Sequence, residues 1–230
     1  MTRIRQILRA LVDLCFPSTC AACGAAAPIA NGVCAACAQV LRSQVAVGTA
    51  TLTLSEGDCI RVCSVIDYDE RMRRLLNSFK DGGRVDAAVL LAKLLRAALR
   101  SSVAGDAQAV WLVPVPSSDA AVRRRGYRHL ELLIQRALPA AGVVQGLRYT
   151  RRVRDQAGLG RMERAQNLRG AVRASSSVAG LRCVVVDDVM TTGATLRESV
   201  VALRDAGAQV VAAAVIARVP LNNTRAGEST

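Results

Sequence analysis

A short run of β-prone apolar residues ending in two carboxylates constrains the fold of this chain more than any other feature. Cys183, Val184, Val185 and Val186 follow one another without polar alternation, as expected of a parallel-sheet strand buried on both faces. Asp187 and Asp188 stand at its carboxyl end. The small and hydroxylated residues Thr191, Thr192, Gly193, Ala194 and Thr195 follow. Leu196, Val200 and Leu203 then share one helical face, and Gly207 supplies a stop. The segment predicts a buried strand, a loop and an amphipathic helix, in that order.

That order carries chemistry. In open parallel sheets ligands sit beyond the carboxyl ends of the strands, so the loop points into a crevice. A helix opening there offers unpaired N–H groups and the positive end of its dipole, which favour a phosphate dianion. Gly193 lets a ligand approach the backbone, and the threonine hydroxyls add donors. Two acids just upstream would repel a second phosphate but accept hydrogen bonds from sugar hydroxyls. Phosphate at one end and a diol at the other describe a ribose 5-phosphate site. A buried strand, an Asp-Asp helix cap and an ordinary turn would explain either half alone; the two in tandem favour the ligand.

At 230 residues the chain fits one α/β domain with a small appendage, and 51% hydrophobic content suits a folded protein. No apolar run approaches bilayer length, and Val210 to Ala217 reads as a buried strand. The net charge of +13 is almost wholly arginine, since Lys80 and Lys93 are the only lysines. Such an excess suits a polyanionic partner, although arginine on a solvated surface gives the same composition. His129 is the one histidine, which removes most chemistries that need a histidine base unless this residue supplies it. No nucleophile-elbow serine and no Walker-type loop occurs.

Cys20-x2-Cys23 and Cys34-x2-Cys37 lie ten residues apart. Paired thiolates at this spacing close a tetrahedral, structural zinc site, and Gly24 and Gly32 fall where knuckle turns need relaxed backbone. Disulfides or idle thiols are the alternatives. Cys15, Cys59, Cys63 and Cys183 lack the spacing and read as core. Ahead of the knuckles, Ile4, Ile7, Leu8, Leu11 and Cys15 form one helical face, with Arg3, Arg5 and Arg9 off it. Asp13 and the lack of a cleavage pattern argue against a signal peptide. Such a helix packs on its own domain or lies on an anionic membrane surface.

Elsewhere, residues 38–58 read as a linker, and Cys59 to Ile66 as a strand. A basic helix follows with Met72, Leu75, Leu76 and Phe79 as its stripe, broken at Lys80-Asp81-Gly82-Gly83. Ala87 to Leu99 forms another helix. Trp111 to Val113 reads as a buried strand running into Pro114-Val115-Pro116-Ser117-Ser118, a loop placed to meet the same crevice. Arg123-Arg124-Arg125-Gly126-Tyr127 precedes a helix from His129 to Ala137. Residues 148–169 hold seven arginines (148, 151, 152, 154, 161, 164 and 169), a basic flap or helix. The tail from Asn222 is polar.

The Asp187–Thr195 segment resembles the 5-phosphoribosyl 1-pyrophosphate (PRPP) motif of type I phosphoribosyltransferases. In order and spacing, several further residues resemble the ComF/GntX family. They are Tyr68 with Arg73, Leu76, Phe79 and Lys80; Val113-Pro114-Val115-Pro116; Arg125-Gly126-Tyr127; Gln156-x2-Leu159; Arg164-x2-Asn167-Leu168; and Gly170. The double-CxxC module extends the likeness over nearly the whole chain. One departure stands out: where the family usually has Arg-Gly-Phe-Asn-Gln, this chain has Arg125-Gly126-Tyr127-Arg128-His129.

The resemblance implies a phosphoribosyltransferase-like parallel sheet flanked by helices over 58–220. An N-terminal helix and four-cysteine zinc module would occupy 1–45, and a tail 221–230. It implies that Asp187 and Asp188 contact the ribose hydroxyls while Thr191, Thr192, Gly193, Ala194 and Thr195 hold the 5-phosphate. Lys80, Arg124 and Arg125 are candidates for the pyrophosphate, which Mg²⁺ would bridge to ribose oxygens. The implied role is PRPP binding in support of DNA uptake, alongside single-stranded DNA, a competence helicase and a DNA-processing protein. The implied location is the cytoplasm or the inner face of its membrane. Two other readings stay open: an active transferase acting on a nitrogen nucleophile, and a nucleic-acid-binding module.

Overall fold

The computed structural model describes residues 19–106, 108–151 and 168–220. A hairpin of β1 (Ile29–Ala30) and β2 (Val33–Cys34) leads into helix α1 (Ala35–Gln44). It turns on Asn31 and Gly32, with φ of 52° and 84°, the left-handed pair that a two-residue hairpin turn requires. Strands β3 (Gly48–Ser55), β4 (Asp58–Ser64) and β5 (Ile66–Asp67) follow, then helices α2 (Glu70–Lys80) and α3 (Ala88–Ser102). Strand β6 (Trp111–Pro114) precedes α4 (Asp119–Arg125) and α5 (His129–Ala137). A small antiparallel ladder pairs β7 (Leu147–Tyr149) with β8 (Val172–Ala174). The last elements are β9 (Arg182–Met190), α6 (Ala194–Asp205) and β10 (Gln209–Arg218).

The main sheet runs in the order β3-β4-β10-β9-β6, with β5 also paired to β10. Strands β4, β10, β9 and β6 are parallel, and β3 closes one edge antiparallel to β4. The sheet is therefore mixed, with a parallel centre between helices, as the sequence predicts. Side-chain alternation divides the apolar run of β9 between two cores. Val184 and Val186 pack with α2, α3 and α5, whereas Cys183 and Val185 pack with Leu196, Val200 and Leu203 of α6.

Four sequence expectations need correction. Residues 38–58 are no linker: α1 and β3 occupy most of them. Strand β9 does not stop before the acids but continues through Asp187 and Asp188 to Met190, because β10 runs alongside as far as Arg218. Trp111 is 41% exposed. It opens an edge strand and lies against Gly142, where a Cβ would come within 2.6 Å of the indole. Cys59 is exposed rather than core, since it sits on the outward side of the β3–β4 hairpin. The predicted N-terminal helix, Arg152 to Asn167 and the tail lie outside the described residues.

Two placements set up the site. Asp69 Oδ1 accepts the Met72 N–H at 2.8 Å and starts α2, whose buried stripe of Met72, Leu75, Leu76 and Phe79 fixes the helix on the core. Lys80 and Asp81 are thereby held at its far end. The cysteine module docks on that same end. Ser78 Oγ donates to the Ala21 carbonyl at 3.2 Å, and Arg84 Nη1 donates to the Thr19 carbonyl at 2.6 Å. Gly32 lies so close to Ala87 that a Cβ would meet it at 2.7 Å.

Candidate functional site

The acid pair lies near the carboxyl end of β9, with Asp187 in register with Val215 of β10. Both carboxyls are buried, and the Asp188 N–H donates to Asp187 Oδ1 at 2.8 Å. Beyond Met190 the chain turns through Thr191 and Thr192 to Gly193, which caps α6 at φ 74°. Only glycine fits there twice over: the backbone is left-handed, and a Cβ would come within 2.5 Å of Leu52 on β3. Thr192 Oγ1 accepts the Ala194 N–H at 3.3 Å. A shallow pocket of about 220 Å³ is lined by Asp187, Val189 and Thr191 through Leu196. The pocket thus gathers the predicted sugar–phosphate residues except Asp188, which neighbours Asp187 on the strand but faces Lys80 and His129 instead.

Around the acids sits a charged network drawn from four elements. Lys80, at the end of α2, pairs with Asp188 Oδ2. His129, the first residue of α5, places Nε2 at 3.9 Å from the same oxygen. Its Nδ1 lies 3.1 Å from Nη1 of Arg125, the last residue of α4. Arg125 Nε and Arg124 Nη2 also reach Asp81 Oδ1, at 3.4 and 2.7 Å. Tyr127 locks the intervening turn by donating its hydroxyl to the Phe79 carbonyl at 2.5 Å, a bond that phenylalanine could not make. Gly126, at φ 78°, permits that turn.

Burial and charge split the two acids. Burial opposes ionisation of Asp188, but Lys80 outweighs it, and its carboxyl falls well below the usual range. Asp187 moves the other way, because burial and the neighbouring Asp188 charge both disfavour a second anion. Lys80 stays protonated: burial acts against its charge, yet Asp188 and Asp187 raise it above its ordinary value. Burial pushes Tyr149 up to about 12, with Asp187 adding to the effect. The net result is one carboxylate held ionised by a cation beside a second carboxyl whose ionisation is resisted, both oxygen-rich partners for a diol.

Of the predicted pyrophosphate candidates, Lys80 and Arg125 reach the acid pair directly or through His129, whereas Arg124 is engaged with Asp81. Val115, in the loop after β6, donates its N–H to the Val186 carbonyl at 2.9 Å, which sets that loop beside the acids. A second pocket, of about 280 Å³, opens next to Pro114–Ser117 against Leu130, Glu131 and Gln145. Sequence reasoning missed Asp81, Tyr149 and His129 as members of the site. For His129 a signal existed: the lone histidine replaces the residue that ends the family's Arg-Gly turn.

The second cluster is the cysteine module. The sulfurs of Cys20, Cys23, Cys34 and Cys37 all lie within 4.8 Å of one another. The Cys34 N–H points at Cys20 Sγ (3.3 Å) and the Cys37 N–H at Cys34 Sγ (3.5 Å). Burial opposes a thiolate at Cys20, but the N–H groups of Cys34, Ala22 and Cys23 bring its pKa down to about 6. Burial and the three neighbouring thiols push Cys37 up to about 12. A thiolate favoured at Cys20 beside a thiol held protonated at Cys37, among four converging sulfurs, suits a metal ion that would compensate the charge, and the donor set is that of a closed tetrahedral site.

This fold and acid-bearing strand define a phosphoribosyltransferase-type domain: the profile of the phosphoribosyl transferase domain matches residues 120–227. The chain is 30% identical over 217 residues to the DNA utilization protein YhgH of Salmonella typhimurium, covering 86% of this chain and 96% of that protein. It is 28% identical over 201 residues to competence protein F of Haemophilus influenzae, covering 79% and 88% of the two chains. Orotate phosphoribosyltransferase of Mycobacterium tuberculosis aligns at 20% identity and TM-score 0.36, over 80% of this chain and 82% of that one. The chain belongs to the ComF/GntX family.

Proposed function

We propose that this protein binds PRPP, with Mg²⁺, at the end of β9 and assists the use or uptake of DNA. Asp187 and Asp188 receive the ribose hydroxyls, and residues 191–195 receive the 5-phosphate. Lys80 and Arg125 attend the pyrophosphate, and Mg²⁺ arriving with the ligand would neutralise its charge. The observation that carries this reading is a helix amino terminus and hydroxylated loop sharing a pocket with Asp187, next along the strand to a second buried acid, Asp188, that is paired with Lys80. A zinc ion held by Cys20, Cys23, Cys34 and Cys37 is proposed as structural, within a module ending near residue 45. The DNA role comes from relatives whose names state DNA utilization and competence.

One surface feature favours direct contact with nucleic acid. Arg148 and Arg173 face each other across the β7–β8 ladder, and both are exposed. Like charges directly opposite destabilise a ladder, so the pair suits a surface completed by a polyanion. Among the described residues, Arg151 and Arg169 extend it at either end of the predicted basic flap. No helix among the described residues is long and apolar enough to cross a membrane.

The test of the ligand site is thermal. PRPP with Mg²⁺ should raise the melting temperature by mass action, and Asp187→Ala or Thr192→Ala should abolish the rise. Equal rises in all three proteins would move the ligand away from β9 and its loop. Release of pyrophosphate in a screen of nucleobases would add catalysis to the binding role.

A further inference from the structure

His129 joins the two halves of the candidate site. It is the only histidine in the chain and is 7% exposed. A guanidinium can donate hydrogen bonds but not accept them. The 3.1 Å approach of Arg125 Nη1 therefore makes Nδ1 of His129 the acceptor and leaves the ring proton on Nε2. Nε2 lies 3.9 Å from Asp188 Oδ2, an electrostatic approach beyond hydrogen-bond length. The neutral ring thus presents its negative end to a cation and its positive end to an anion. A doubly protonated ring would set an N–H against an N–H at Arg125.

We infer that His129 is a positioning residue, a neutral dipole that holds the Arg125 guanidinium and the Asp188 carboxylate at a fixed separation. That separation decides which ligands engage both groups at once, namely those carrying a diol at one end and a pyrophosphate at the other. The inference rests on the PRPP reading above. The charged groups facing the ring are Asp188 on β9, Lys80 and Asp81 from the end of α2, and Arg125 on α4. Burial is the largest influence on the ring and favours its neutral form. Lys80 and Arg125 act in the same direction, Asp188 and Asp81 against it, and the pKa falls to about 4. The dipole therefore persists across the physiological range.

Because the chain has one histidine, an untagged or non-histidine-tagged protein labelled with ¹⁵N-histidine yields a single imidazole spectrum. It should show the Nε2–H tautomer, neutral down to about pH 5, and Arg125→Leu should disturb that state. Binding of PRPP and of ribose 5-phosphate is then measured for wild type, His129→Gln and His129→Leu. The amide of glutamine can accept from Arg125 and donate to Asp188, so His129→Gln should bind PRPP nearly as wild type does. His129→Leu should lose at least about tenfold in PRPP affinity. It should lose less for ribose 5-phosphate, which has no pyrophosphate for Arg125. The Nδ1–H tautomer, an ordinary histidine pKa, or equal losses in folded Gln and Leu variants would each overturn the inference. Failure of wild-type protein to bind PRPP would instead sink the ligand reading and leave the ring a structural bridge only.

Discussion

Three side chains of the site depart from their ordinary protonation in ways that tie stability to pH. His129 falls from its ordinary 6.5 to about 4, chiefly through burial. The unfolded chain therefore binds a proton that the folded chain refuses between those values. By linkage, stability from this residue is fully present above about pH 6.5 and is lost as pH falls toward 4. Asp188, depressed by Lys80, has the same sign but a lower window, losing its contribution only below the ordinary aspartate range. Asp187 is raised and has the opposite sign. His129→Gln removes only the first of these. Because Asp187 pulls the other way over the same range, the test is the comparison: from pH 7 to pH 5 in chemical denaturation, wild type should lose stability relative to the glutamine variant. An unchanged difference would mean that the ring already titrates normally in the folded protein.

Among the elements, those with a strong apolar period were legible in the sequence. Met72, Leu75, Leu76 and Phe79 announced α2, and the unbroken Cys183–Val186 run announced β9. What escaped were elements built from small or polar residues. Strand β3 alternates Ala50, Leu52 and Leu54 with Thr49, Thr51 and Thr53, a true period of two, yet only Leu52 is fully buried. Helix α1 buries just Cys37 and Leu41, too little to stand out in an alanine-rich stretch. The Asn31-Gly32 pair was a hairpin signal that the cysteine spacing overshadowed. The loop and both acids were visible because their chemistry is unusual in a buried segment. Asp81 and Tyr149 were not, because only tertiary packing brings Asp81 to Arg124 and Arg125, and Tyr149 within the influence of Asp187. Even the missed strand matters to the site, since Leu52 is the residue against which Gly193 turns.

At the scale of the whole molecule, the proposed contact with DNA would draw on a net charge of +13 over 230 residues, which suits a polyanionic partner. Single-stranded DNA should bind without sequence preference, with affinity falling steeply as salt rises. Electrostatics should dominate, because the chain has one Trp, three Tyr and two Phe to offer as stacking platforms. Replacing Arg148 and Arg173 with Ala should flatten the salt dependence while leaving the PRPP-induced rise in melting temperature intact. Wild-type protein that ignores DNA at low salt would remove direct contact from the proposal. The docking of the cysteine module has a consequence of another kind. Its contacts through Ser78 and Arg84 flank Lys80 and Asp81, so the end of α2 would serve both proposed occupants, the zinc ion and PRPP. If the module folds only around its metal, the two equilibria share free energy, and each occupant must tighten the other by the same factor. PRPP should then slow the transfer of zinc from the loaded protein to a chromogenic chelator, several-fold at saturation. Ser78→Ala should weaken that protection without touching a cysteine. Identical transfer rates with and without PRPP would show the two occupants to be independent.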